Sequence, residues 1–129
     1  MPIRISKKRI NLEDARLERP VLQDYGETVN ERGSISGAQS IDLELGNVVT
    51  ATIGGATTLT FTNPPVSGTA GSLTLVVTNP STNITWGSTV TWAGGTEPTW
   101  TTTGIDVITF FTTDGGTTWY GFASGLGMS

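Results

Sequence analysis

The chain has 129 residues with 7 basic and 11 acidic side chains, a formal net charge of −4, and neither Cys nor His. That length suits one domain able to bury about two-thirds of its unfolded surface. The missing residue types exclude disulfides, thiolate metal centres and imidazole acid–base chemistry. No apolar run approaches the roughly 20 residues of a membrane-spanning helix, and the N-terminus is charged where a signal peptide is apolar. A soluble, unprocessed single domain with no membrane partner is expected.

The charges are segregated along the chain. All 7 bases (Arg4, Lys7, Lys8, Arg9, Arg16, Arg19 and Arg32) fall in the first quarter. They stand beside six acids, for a local net charge of +1; residues 33–129 hold five acids and no base, a net −5. Two parts with separate tasks are expected: an arm over 1–33 and a folded domain over 34–129. Within the arm, Asn11 can cap a short helix, Asp14 lies in its first turn and Pro20 stops it. Two turns of isolated helix are marginal in water, so the arm is expected to order only against a partner.

From residue 34 onward the pattern is β. QSIDLELG and NVVTATIGG read as strands joined at Gly46-Asn47, a two-residue hairpin signal. Alternation follows in TTLTFT (Leu59, Phe61), SLTLVVT (Leu73, Leu75, Val77), NITW (Ile84, Trp86) and TVTW (Val90, Trp92). IDVITFFT carries apolar residues on both faces and reads as a central strand buried on each side. Seven or eight short strands with no helical period predict an all-β fold, a β-sandwich or jelly-roll-like domain behind the extended arm. Asp114-Gly115-Gly116, between ITFFTT and TTWYGF, reads as a tight corner: Gly supplies positive φ, and one carboxylate is too few for a calcium loop.

The chemistry on offer is thin. Asp42 and Glu44, two apart on an expected strand, share a face at a separation of the order used by inverting glycosidases, about 6.5–9.5 Å, but any strand with polar residues on one face makes such a pair. Ser and Thr nucleophiles have no His beside them and no Lys in the domain to act as base. No catalytic residue, metal site or cofactor is therefore expected. Nucleic-acid binding needs a basic surface that the domain lacks. Trp86 and Trp92 share parity with Ile84 and Val90 and are expected to face the core or a subunit interface. Trp100, in a loop after Glu97-Pro98, is the tryptophan expected at the surface, where an aromatic ring can stack on a sugar.

The sequence from Asp24 through IDLELGNVVTATIGGATTLTFTNPPVSGTAGSLTLVVTN, with the W-x5-W-A-G-G-T-x-P run at 86–98 and DGGTTWYGF at 114–122, resembles a small β domain of tailed-bacteriophage virion structural and tail-fibre proteins. The resemblance covers nearly all of 24–128 and brings no active-site residue with it. It implies a non-enzymatic component of the phage particle surface, often a homotrimer. The basic arm favours a head decoration or cement protein docking on the major capsid protein; a neck, tail or fibre component on a tail scaffold, with a domain that binds host-surface glycan through Trp100, is the alternative. The docking contacts expected of the arm are Arg4, Lys7, Lys8, Arg9, Leu12, Arg16, Leu17 and Arg19.

Overall fold

The computed structural model describes residues 9–81 and 83–129; the expected contacts Arg4, Lys7 and Lys8 lie outside the described residues. The fold is all-β behind an N-terminal arm. Seven strands form one mixed sheet: β1 (Val29–Asp42), β2 (Val48–Thr62), β3 (Gly71–Thr78), β4 (Ile84–Trp86), β5 (Val90–Trp92), β6 (Ile105–Thr112) and β7 (Trp119–Met128). Their order is β1-β2-β3-β6-β7-β5, with β4 on the second half of β2.

Pairing, more than strand content, sets the shape. β1 and β2 are parallel neighbours, Val29 beside Val48 and Asp42 beside Thr62. The hairpin expected at Gly46-Asn47 is therefore not formed. A straight 14-residue strand would span about 46 Å, whereas Leu43–Asn47 reaches back no more than about 22 Å. β1 must curl so that its end returns to its start, and its pairing shifts register between Glu31 and Ser34 and between Ile35 and Gly37. Gly46 marks the return: at φ 142°, a Cβ there would lie 2.5 Å from the Thr28 carbonyl oxygen. Only glycine fits beneath that carbonyl.

The winding continues. The first part of β2 pairs in parallel with β3, Val48 beside Thr74, and its second part with β4, Thr57 beside Ile84. Three successive turns thus stack edge to edge as a flattened coil whose two sides make a sandwich-like pair of layers. Antiparallel β6 and β7 complete one layer, Leu73 pairing with Phe110 and Phe110 with Gly121. Phe61, on the far end of β2, packs tilted against Phe110 and edge-on against Trp119 at ring-centroid distances of 4.9 and 5.0 Å, which closes the layers on each other.

The core follows the alternation. Val49, Leu59, Leu73, Leu75, Val77, Ile108 and Phe110 point between the layers and are buried, each contributing about 1.5–3 kcal/mol relative to exposure. β6 is central, as its composition predicts, but only Asp106, Ile108, Phe110 and Thr112 are buried; its other face is half open, and Phe111 is exposed. Arg32, counted with the arm's bases, belongs to the body. It sits in β1, where Nη1 donates to the Ser40 carbonyl and Nη2 to Gln39 Oε1, each at 2.6 Å, bracing the curl of this edge strand.

Every residue from Arg9 to Val29 is exposed. The short helix expected after Asn11 is a single turn: Asn11 Oδ1 accepts from Glu13 N and Leu12 O from Ala15 N, each at 2.9 Å. Glu13 and Asp14 then take left-handed φ values of 50° and 65°, which a right-handed helix cannot continue through. The folded body begins at Val29, inside the stretch read as arm.

Candidate functional site

Three regions concentrate the side chains that could carry function: the tryptophan cluster, the arm, and the outward face of β6 and β7. Trp86, Trp92 and Trp100 meet with centroids 5.4–6.1 Å apart, and Phe110 lies beneath the first two. Their tilted and edge-on geometry is the arrangement aromatic quadrupoles favour. Glu97 Oε1 accepts from both Trp86 Nε1 and Trp100 Nε1 at 2.7 Å, tying strand β4 to the loop before β6. Gly121 admits the ring of Trp92, since a Cβ there would lie 2.4 Å from it.

This arrangement corrects one expectation. Trp100 is only 6% exposed: the loop folds back over the core and Glu97 draws the indole inward, so no ring face is open for a sugar. Trp86 and Trp92 are half-buried against the core, as their strand parity predicts.

The carboxylates are occupied structurally. Asp42 and Glu44 do not share a strand face, because β1 ends at Asp42 and Glu44 lies in the 3-10 turn Leu43–Leu45. Asp42 Oδ1 instead accepts from Glu44 N at 2.9 Å and Asn63 Nδ2 at 3.0 Å, which caps the turn. Asp114 forms the corner its sequence predicts: Oδ1 accepts from Thr118 N and Thr112 Oγ1, each at 2.9 Å. The Thr118 amide holds its carboxyl below the ordinary 3.8, aided by the Thr112 hydroxyl and opposed by partial desolvation. Asp106 is fully buried on the inner face of β6; Oδ2 accepts from Thr101 N and Oδ1 from Gly127 N, both at 2.8 Å. No group of three or more His, Cys, Asp or Glu able to hold a metal occurs among the described residues.

A cleft of about 570 Å³ separates the arm's turn (Asp14, Ala15) from Leu43, Glu44, Asn63 and Pro64 on the body. Its lining includes two acids, Asp14 and Glu44, and no base. Of the expected docking residues that are described, Arg9, Leu12, Arg16, Leu17 and Arg19 all stand in solvent, joined by Ile10, Val21, Leu22 and Tyr25; Val21 is 93% exposed.

The third region was not anticipated from the sequence. Phe111, Tyr120 and Phe122 project from the outward face of β6 and β7, 37, 40 and 49% exposed. Phe111 lies 5.2 Å from Tyr120 and 6.0 Å from Phe122, the two phenylalanine rings within 8° of parallel. Diagonally across the same face a shallow hollow of about 260 Å³ is lined by Gly33, Thr50, Thr52, Val76 and Thr78. The signal was present in the apolar residues on both sides of IDVITFFT, read there as burial on both faces.

The chain matches no protein-family model, no curated protein and no solved structure.

Proposed function

We propose that the chain is a non-enzymatic structural protein of a tailed-bacteriophage particle. In this reading it is a capsid decoration or cement module, anchored on the major capsid protein by its arm and assembled as a homotrimer through its β domain. The observation that carries the proposal is the arm. From Arg9 to Thr28 it holds Ile10, Leu12, Leu17, Val21 and Leu22 in solvent beside Arg9, Arg16 and Arg19, while contributing nothing to the core. Apolar side chains interspersed with cations in an extended segment gain stability only when a second surface covers them. Copies repeated on a lattice compensate for the modest affinity of each arm. The body suits a scaffold role, its tryptophans and buried carboxylate being used for packing and internal hydrogen bonds.

Gold-labelled antibody against the chain, imaged on intact particles by electron microscopy, tests the reading. Even label over the head is expected. Label confined to neck, baseplate or fibres transfers the protein to the tail, and particles without label overturn the virion assignment.

A further inference from the structure

We infer that the outward face of β3, β6 and β7, centred on Phe111, Tyr120 and Phe122, is where a second copy of this chain docks. The inference rests on the proposed self-association of the β domain and names the surface that performs it.

Three observations select the face and its occupant. The first is apolar extent. Phe111, Tyr120 and Phe122 leave 37, 40 and 49% of their surface in water, and aromatic residues of roughly 150–250 Å² each then expose about 250 Å² together. Met128, 50% exposed, and half-buried Val76 and Val107 extend the patch into the range of roughly 300–600 Å² typical of the largest patch on a monomer. The Ser and Thr rows of β3 carry it towards the about 800 Å² that each partner gives a standard interface.

The second observation is charge. Outward positions on β3, β6 and β7 are Ser, Thr, aliphatic or aromatic, and register brings the first acid on this face only at Glu31 on edge strand β1. A second copy carries the same body, net −5 with Arg32 as its one base, and on this acid-free face the two meet without like-charge contact. A basic or nucleic-acid partner would find no charge to pair with.

The third is relief. The raised rings and the hollow at Thr50, Thr52, Val76 and Thr78 lie on one face at different places, so the ring of one copy can enter the hollow of the next. Because rings and hollow share one face, two copies can pair reciprocally about a two-fold axis, ring in hollow on both sides; a trimer requires instead a rotation between copies that closes after three.

The test is sedimentation velocity on the full chain, comparing wild type with the Tyr120→Ser/Phe122→Ser double variant and with Val66→Ser, an exposed loop change off the face. Circular dichroism melts on all three establish folding, and Ser72→Glu, beside Phe111 in register, supplies a second probe that removes no side-chain packing. Wild type and Val66→Ser are expected to associate at micromolar concentration. The double variant and Ser72→Glu should dissociate at least tenfold more readily. A monomeric wild type, or folded face variants that associate as wild type does, overturns the inference, as does a monomer whose rings instead bind glycan. Failure of the particle reading is distinguishable: an associating wild type that never labels particles leaves the face standing, whereas a dissociated variant that still labels them leaves the arm standing.

Discussion

Asp106 holds the end of β7 and the loop before β6 in place with one buried carboxylate. Replacing it with Ala strands the amides of Thr101 and Gly127, and a loss of about 3 kcal/mol in urea unfolding is expected, with faster amide exchange at Gly127; an unchanged midpoint would remove Asp106 from the framework. Asp114 contributes to the acid limb of stability. Its folded pKa lies below the ordinary 3.8, so its contribution is complete above that value and disappears as pH falls through the folded pKa. Asp114→Asn is expected to flatten the decline in melting temperature on acidification below 3.8; equal slopes in both proteins would contradict it. At Gly121 an added methyl meets the Trp92 ring, so Gly121→Ala should cost about 1–3 kcal/mol and alter near-ultraviolet circular dichroism. These roles were unevenly legible. Asp114 was readable because a corner's chemistry is local. Asp106 was marked only by being a lone acid in an apolar strand. Trp100 was misread because its burial depends on a loop refolding around Glu97, which no period reports.

The strands were visible as elements because period-two alternation is written into each one: Leu59 and Phe61, or Leu73, Leu75 and Val77, need only their own neighbours to declare a face. Their partners were not, because pairing is a long-range choice. Gly46-Asn47 has hairpin chemistry, yet the fit of Gly46 under the Thr28 carbonyl and the curl braced by Arg32 make β1 and β2 parallel. Gly46→Ala is therefore expected to lower stability by about 2–4 kcal/mol in thermal denaturation, more than a change in a free hairpin turn would; a neutral result would mean the chain does not pass there. The open face of β6 escaped for a related reason. Apolar residues on both sides of a strand mean burial on both sides only if another layer exists, and the sequence does not state how many layers there are.

Charge segregation announced the two-part molecule, but bases do not mark the boundary: Arg32 braces the body, and the fold begins at Val29. Removing residues 1–28 should change unfolding free energy by less than about 0.5 kcal/mol in denaturant titration and, under the proposed anchoring role, abolish co-sedimentation with stripped heads. A large loss of stability would show that the arm completes the domain. The return of the chain beneath Thr28 has a mechanical consequence. Tension on the arm enters the body at Thr28–Val29, where Gly46 abuts the carbonyl and Val29 is already paired with Val48. A pull along β1 loads its bonds to β2 together, in shear, whereas a pull across the sheet edge opens them one after another. In the proposed anchoring role, an attachment built this way resists sliding over a surface far better than lifting from it.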